Sequence, residues 1–348
     1  MKTFKKIIKW LGLSIVSLLI LIVLAGLAFR IFGPGQHQAA GELVDVGGFK
    51  LHVDANGEKD NQPTLVIEGG AGVSTELYHW LNEGLKDSIR VVRYDRAGIG
   101  YSDECKTARD PETIARELHT LLEKSGEEPP YILAGHSLGG PYIRLFAKLY
   151  PNEVAGLIFM DSTHPEQVER FGAPEKSSFR YKVSIWTYKA LAVLGDLGIL
   201  GLYDHFFGPL LTVVGLPEEI NKRLSDLLKN GKFLRAVMKE SQYYYTALEQ
   251  AGAANDFGSI PIRVFTATKI NREAYIARGI DPDKRLATRI AAHKEYTALS
   301  TNGKQILIDG NHNTIYTIKE NADIINKEIM KLVNTSQSVD LTSEVLNN

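Results

Sequence analysis

The chain has 348 residues, of which 44% are hydrophobic and 23% are charged. This balance is close to the average for globular proteins, so it excludes collagen-like, low-complexity and fully disordered classes. Residues 1–32 carry five of the 40 basic side chains and no acidic one. The remaining 35 basic and 41 acidic residues give the body a net charge of −6, which argues against nucleic acid as a partner. The single cysteine, Cys105, excludes an intrachain disulfide framework and a cysteine-rich zinc site.

An uncharged run of 19 residues, 11–29, follows four lysines and precedes Arg30. As a helix it would cover roughly 28 Å, which nearly spans the hydrocarbon core of a bilayer. We interpret residues 1–32 as an uncleaved membrane anchor, and the positive-inside rule places the N-terminus in the cytoplasm and the body outside. The alternatives are a cleaved signal peptide, with Gly26-Leu27-Ala28 as the cleavage site, and a buried core helix.

A short linker is predicted over residues 33–41, and beyond it strand-like and helix-like segments alternate. The first two strand-like runs, joined at Gly47-Gly48, predict a hairpin. The alternation predicts an α/β fold, with a mostly parallel sheet flanked by helices on both faces. The strand-like runs are 42–46, 49–53, 64–67, 89–94, 131–134, 156–160, 262–265 and 305–308, and the clearest helical patterns are Pro111–Lys124, Gly139–Leu149 and 315–332.

Residues 165–258 interrupt this alternation, because they hold no convincing strand pattern and many helix formers. We interpret them as a helical cap inserted into a core made of residues 42–164 and 259–334, and residues 335–348 as a polar tail. Each aromatic side chain of the cap, taken alone, is expected to be buried in the cap's own core. Taken together, these side chains predict an apolar surface that covers the active site. They include Trp186, Tyr188, Tyr203, Phe206, Phe207, Phe233 and the run Tyr243-Tyr244-Tyr245.

The strongest local motif is Gly-His-Ser-Leu-Gly at 135–139, directly after a strand-like run and directly before a helical one. Glycine at both ends of the motif allows a tight strand-to-helix turn. Such a turn exposes the Ser137 hydroxyl at the carboxyl edge of the sheet, where the helix N-terminus supplies N–H groups to a developing anion. This context predicts a nucleophilic serine.

Several motifs in the expected order make the chain resemble serine hydrolases of the α/β-hydrolase superfamily, over roughly residues 42–333. The segment Glu-Gly-Gly-Ala-Gly at 68–72 lies where the superfamily carries its His-Gly oxyanion loop. The segment Tyr-Asp-Arg-Ala-Gly-Ile-Gly-Tyr-Ser at 94–102 resembles its Asp-x-x-Gly-x-Gly-x-Ser turn. The resemblance implies the α/β-hydrolase fold with a helical cap, a Ser-His-acid triad, and no metal or organic cofactor.

The resemblance implies that His312, which follows the last strand, is the base that takes the proton of Ser137. The acid is not at the position where the superfamily commonly carries it, because the segment after the seventh strand has no aspartate at that turn. Some members place the acid after the sixth strand, where this chain has Asp161, and we favour that position. The alternatives that stay open are Asp281, Asp283, Glu273 and a triad without an acid.

The oxyanion hole is predicted from the backbone N–H of Leu138 and that of Gly70 or Ala71. Glu68 replaces the histidine that the superfamily usually has, which changes how this loop is held but leaves its N–H groups available. Asp95 and Arg96 are interpreted as turn and network residues, not catalytic ones.

The sequence therefore predicts a membrane-tethered serine hydrolase, esterase- or lipase-like, that cleaves an acyl bond of an apolar small molecule or lipid outside the cytoplasmic membrane. One alternative is an aminopeptidase similar to proline iminopeptidases, which usually carry His-Gly-Gly-Pro-Gly at the oxyanion loop. A second is a non-catalytic ligand-binding or signalling homologue, favoured by Glu68 and by the missing acid. The substrate and the oligomeric state stay open.

Overall fold

The structure is a computed structural model that describes residues 2–34, 37–172 and 175–346. Parts of four predicted segments lie outside the described residues: Met1 of the anchor, Gly35 and Gln36 of the linker, Ala173 and Pro174 of the cap, and residues 347–348 of the tail.

The chain begins with one long helix, α1, over Lys2–Phe32. The helix is long and apolar enough to cross a membrane, and only 6% of its most apolar window is buried. This exposure excludes the buried core helix that the sequence had left as an alternative. Length and composition fit both an anchor and a signal sequence.

Eight strands form one sheet in the order β1-β2-β4-β3-β5-β6-β7-β8. The hairpin β1–β2 pairs antiparallel with β4, and the other strands run parallel. All eight predicted strands are present, within a few residues of the predicted bounds. They are β1 Glu42–Asp45, β2 Lys50–Asn56, β3 Thr64–Glu68, β4 Val91–Asp95, β5 Tyr131–His136, β6 Val154–Met160, β7 Ile262–Ala267 and β8 Gly303–Ile308.

Helices cover both faces of this sheet, and a buried apolar layer lies under each face. The parallel strands are nearly continuous apolar runs because both of their faces are covered. The predicted helices α3 and α4 have the predicted bounds, whereas the predicted helix 315–332 is interrupted at Ile318, whose backbone is extended. The helices of the core are α2 His79–Leu85, α3 Pro111–Lys124, α4 Gly139–Leu149, α11 Arg272–Ile276, α12 Pro282–Glu295, α13 Thr314–Thr317 and α14 Lys319–Leu346.

Between β6 and β7 the described residues form helices and no strand. Of the aromatic residues here, Phe233 is buried, whereas Trp186, Phe206 and Phe207 are 71%, 69% and 78% exposed. These exposed rings are therefore not part of the core of the cap helices. The helices are α5 Gln167–Phe171, α6 Phe179–Asp196, α7 Ile199–Phe207, α8 Glu218–Leu228, α9 Gly231–Gln242 and α10 Tyr244–Gly252.

Candidate active site

Ser137 lies on the sharp turn between β5 and α4, with a backbone φ of 52°. This left-handed conformation is costly for a residue with a side chain, so its neighbours must hold it. The Ser137 carbonyl accepts hydrogen bonds from the N–H groups of Gly140, at 3.1 Å, and Thr163, at 2.8 Å. The turn also needs Gly135, because an added β-carbon there would lie 2.6 Å from the Gly139 carbonyl oxygen. The packing of β5 against α4 thus leaves the Ser137 side chain at the carboxyl edge of the sheet.

Asp161 and His312 meet at this same edge, although 151 residues separate them in the chain. Asp161 directly follows β6, and its φ of 43° turns the backbone there. Its Oδ2 accepts a 2.6 Å hydrogen bond from Nδ1 of His312, and its Oδ1 accepts one from the Ala267 N–H at 3.1 Å. The Asp161 side chain is 3% exposed and that of His312 is 44% exposed. The buried carboxylate therefore orients a partly exposed imidazole and leaves its Nε2 free of this contact.

An arginine and a histidine of α12 also face the Asp161 carboxylate. His293 Nδ1 lies 3.6 Å from Asp161 Oδ1, and an Arg289 guanidinium nitrogen lies 3.8 Å from Oδ2. Burial alone would raise the pKa of Asp161, but its hydrogen bond and charge interaction with His312 hold it below the usual value. Burial lowers the pKa of His293 to about 4, so near neutral pH this imidazole is uncharged.

His136 lies between the elbow and His312. Its Nε2 donates to the His312 carbonyl oxygen at 3.1 Å, and the two rings are 4.6 Å apart. Burial, and then the neighbouring His312, hold the pKa of His136 well below its usual value. A neutral, buried His136 therefore supports the loop that carries His312.

The loop after β3 touches the elbow serine. A β-carbon added at Gly70 would lie 3.0 Å from Ser137 Cβ and 2.9 Å from His136 Nδ1. The Gly70 N–H donates to the Tyr78 hydroxyl at 3.2 Å, so it is already engaged. Within the described part of the chain, the N–H groups of Leu138 and Ala71 have no acceptor. Of the three predicted oxyanion donors, Leu138 and Ala71 are thus the two whose N–H groups are not engaged among the described residues.

A buried network of charged side chains, centred on Arg96, holds the loop after β3. The Arg96 guanidinium donates to the carbonyls of Gly69, at 2.7 Å, and Gly70, at 2.6 Å. It also donates to Glu68 Oε1 at 2.5 Å, while the Tyr94 hydroxyl donates to Oε2. Burial raises the pKa of Glu68. Glu68, at the position of the expected histidine, thus holds the loop through an arginine.

The same guanidinium bonds Glu240 of α9, with Nε to Oε1 at 2.8 Å and Nη2 to Oε2 at 3.0 Å. Glu240 is 1% exposed and also accepts the Gly72 N–H at 3.0 Å. The sequence placed Arg96 in a network but did not identify Glu240. No local pattern marks this contact, because 144 residues separate the two partners.

The alternative acids have other partners. Asp281 begins α12 by accepting the N–H groups of Asp283 and Lys284, and Asp283 pairs with Arg272 at 2.8 Å. Among the residues that the structure describes, neither carboxylate bonds to His312. The geometry thus brings Asp161, and not these residues, to the imidazole.

A cavity of about 460 Å³ opens beside His312. Its lining includes Lys269, Asn271, Arg278 and Arg289. The cavity therefore offers positive charge and amide groups next to the imidazole.

A group of side chains near the end of β6 could hold a metal ion by distance alone, since ligand atoms of His164, Glu166 and Glu295 lie within 4.8 Å of one another. Arg170, however, bonds Glu166 Oε2 at 2.5 Å and Glu295 Oε1 at 2.6 Å. An arginine that satisfies both carboxylates takes the place a cation would occupy.

A comparison with known families matches residues 63–190 to the model described as "alpha/beta hydrolase fold". The match covers β3 through the elbow and into the helices after β6, and the sheet order extends the same architecture to β8. The chain therefore has the α/β-hydrolase fold.

Among curated proteins, the hydrolase-fold chain is 32% identical over 173 residues to the uncharacterized protein YbdG of Bacillus subtilis, covering 48% of this chain and 53% of that one. It is 32% identical over 107 residues to the (lyso)-N-acylphosphatidylethanolamine lipase of Bos taurus, covering 30% and 31%. The chain thus spans about half or less of the length of the curated relatives it matches.

Among solved structures, a thermophilic esterase from Thermogutta terrifontis superposes with a TM-score of 0.54 at 18% identity. The superposition covers 85% of this chain and all of the esterase. At this identity the likeness concerns the fold, and it extends well beyond the segment matched by the family model. The α/β-hydrolase fold predicted from the sequence is therefore confirmed.

Proposed function

We propose that this α/β hydrolase is a membrane-anchored serine hydrolase that cleaves an ester or related acyl bond of an apolar small molecule or lipid. The observation that carries the proposal is the 2.6 Å hydrogen bond between Asp161 and His312 at the edge where Ser137 sits in its left-handed turn. A serine, an imidazole and a buried carboxylate in this arrangement suit acyl transfer.

In the proposed reaction, His312 Nε2 takes the Ser137 hydroxyl proton as the oxygen attacks the acyl carbonyl carbon. Asp161 holds the imidazole tautomer and stabilises the imidazolium that forms. The N–H groups of Leu138 and Ala71 bind the oxyanion, since Gly70 donates to Tyr78. The imidazolium then protonates the leaving group, which has room in the cavity beside His312. Water, activated by the same imidazole, attacks the acyl-enzyme and releases the acid and Ser137.

An apolar acyl substrate is supported by two observations. The bovine relative is named as a lipase, and a helix able to span a membrane precedes the body by only a short segment. We propose that α1 is a signal-anchor that stays in the cytoplasmic membrane, with its N-terminus inside and the body outside, as the four lysines before the apolar run favour. A body tethered this way would meet its substrate at the membrane surface.

The proposal is tested by labelling the full chain, in detergent, with a fluorophosphonate probe. We expect the wild-type protein to be labelled, and Ser137→Ala and His312→Ala to be unlabelled. Ser184→Ala is the matched control, because its hydroxyl donates to the Tyr181 carbonyl on an exposed face of α6. A folded wild-type chain that is not labelled would overturn the proposal and favour a ligand-binding role.

A panel of acyl esters and prolyl peptides then separates the two kinds of hydrolase. The proposal expects faster turnover of medium-chain esters than of acetyl esters or of peptides with N-terminal proline. Preference for the prolyl peptides would instead support an aminopeptidase.

A further inference from the structure

Helix α6 carries an apolar stripe on its outward face. Phe179, Val183, Trp186 and Val193 recur at intervals of four, three and seven residues, which places them on one side of a helix. Their exposed fractions are 83%, 44%, 71% and 56%. The opposite face packs against α9, where Ala192 and Phe233 are buried. The stripe is therefore an additional surface, not the packing face of the helix.

Helix α7 extends this apolar surface past a bend of 80° between the two helices. Tyr203, Phe206 and Phe207 are 53%, 69% and 78% exposed. We call these seven exposed apolar side chains of α6 and α7 the corner patch. They are Phe179, Val183, Trp186, Val193, Tyr203, Phe206 and Phe207. Soluble proteins seldom leave so many large apolar side chains together in water, and patches of this kind mark interaction surfaces.

The corner patch adjoins α1, the helix proposed to span the membrane. A β-carbon added at Gly26 would lie 2.5 Å from the Leu197 carbonyl oxygen, so the backbones of α1 and of the α6–α7 bend are in close contact. Arg30 donates to the Asp196 carbonyl at the end of α6, and the rings of Phe29 and His205 are 5.3 Å apart. These contacts place the α6–α7 bend beside residues 26–30 of α1.

With α1 across a bilayer, the position of these contacts along α1 sets the depth of the bend in the membrane. Gly26 precedes Phe29, the last residue of the uncharged run, by three residues. At about 1.5 Å per residue this is a depth of about 4.5 Å. Helices that lie in a membrane interface bury their apolar faces by about 5–10 Å. With α1 across the bilayer, the bend between Leu197 and Ile199 reaches the boundary between headgroups and acyl chains.

We propose that the corner patch docks in the outer leaflet of the bilayer that α1 spans, with phospholipid as its partner. This inference rests on the anchor part of the proposed function. The charges of α6 suit the partner, because Arg180, Lys182 and Lys189 can meet lipid phosphates. The one acidic residue of α6, Asp196, is paired with Arg235. The docked helices hold the catalytic body against the membrane, where acyl lipids enter from the leaflet.

The three tryptophans of the chain allow a direct test in the full-length protein. Single-tryptophan chains, made by replacing the other two with phenylalanine, are reconstituted in vesicles of phosphatidylcholine brominated near the carbonyl end of the acyl chains. Trp10 reports on α1, Trp186 on the corner patch and Trp80, which donates to the Gly215 carbonyl, on the body. We expect bromine to quench Trp10 and Trp186 but not Trp80.

A second pair of variants tests the patch itself in the Trp186 chain. Phe207→Asp should reduce the quenching of Trp186 at least twofold, since it puts a charge into the patch. Ile276→Asp is the matched control, because Ile276 is 63% exposed on α11, and it should leave the quenching unchanged.

The outcomes separate the two proposals. Quenching of Trp10 without quenching of Trp186 overturns the docking and leaves the anchor. Absence of quenching at both overturns docking and anchor together, while fluorophosphonate labelling still decides the hydrolase chemistry. Equal quenching in Phe207→Asp and Ile276→Asp also overturns the patch as the docking surface.

Discussion

Arg96, on the turn after β4, bonds both carboxylate oxygens of Glu240 in α9, at 2.8 and 3.0 Å. The same guanidinium holds the carbonyls of Gly69 and Gly70, directly before the proposed oxyanion donor Ala71. The helices between β6 and β7 are thereby joined to the loop after β3 through one buried side chain. In the proposed mechanism Arg96 is a positioning residue, since it reaches the site through the loop backbone.

Replacing this arginine should reduce turnover more than binding. In Arg96→Lys the ammonium has only three N–H donors and cannot replace the five hydrogen bonds that Arg96 makes to Glu68, Glu240 and the two carbonyls. We therefore expect the loop to shift and kcat of ester hydrolysis to fall by on the order of 10²-fold. KM should change little, because the change acts on the oxyanion and not on the ground-state substrate. The control is Arg235→Lys, on the same helix as Glu240, where the arginine pairs with Glu104 and is more exposed. Equal loss of kcat in both variants would contradict the positioning role.

Asp161→Asn should reduce kcat by on the order of 10³-fold or more, because an amide holds the wrong imidazole tautomer and cannot stabilise the imidazolium. Circular dichroism would check that the fold is kept. Asp281→Asn retains an N-cap for α12 and should have wild-type kcat. If Asp281→Asn were the inactive variant, the assignment of Asp161 would be wrong.

Gly70→Ala tests the approach of the oxyanion loop to the nucleophile. The added methyl would lie 3.0 Å from Ser137 Cβ, which forces the loop away and should lower kcat by about 10²-fold. Gly252→Ala, at the end of α10, meets only the Pro165 side chain at 3.6 Å and should leave kcat unchanged. Wild-type kinetics in Gly70→Ala would show that this loop does not form the oxyanion hole.

His293 should make the protein less stable in mild acid. Its pKa is lowered from 6.5 to about 4, so between these values the unfolded chain binds a proton that the native chain does not. Stability therefore falls as the pH drops through this window, by on the order of 3 kcal/mol. In His293→Asn the fall should be smaller, with the polar contact to Thr266 retained.

Urea unfolding of the detergent-solubilised chain at pH 7, 6 and 5 measures this effect. His136 also has a lowered pKa, so the variant should keep part of the slope. Parallel stability profiles for the wild type and His293→Asn would rule out His293 as a source of the acid sensitivity.

The sequence by itself determined the architecture. Apolar runs of strand length, separated by amphipathic helical patterns, predicted all eight strands and the bounds of α3 and α4. The elbow at Ser137 was also readable, because its glycines and its place between a strand and a helix are local properties. Such features depend only on residues that are neighbours in the sequence.

Only the tertiary structure decided which distant residues meet. It brought Asp161, rather than Asp281 or Asp283, to His312, since the carboxyl ends of parallel strands converge at one edge. It placed Glu240 on Arg96, and it left Trp186, Phe206 and Phe207 exposed on α6 and α7. The amino-acid types of these side chains are the same whether the side chains are buried or exposed. Their roles depend on burial and on contacts across more than 100 residues of chain, which only the packed fold specifies.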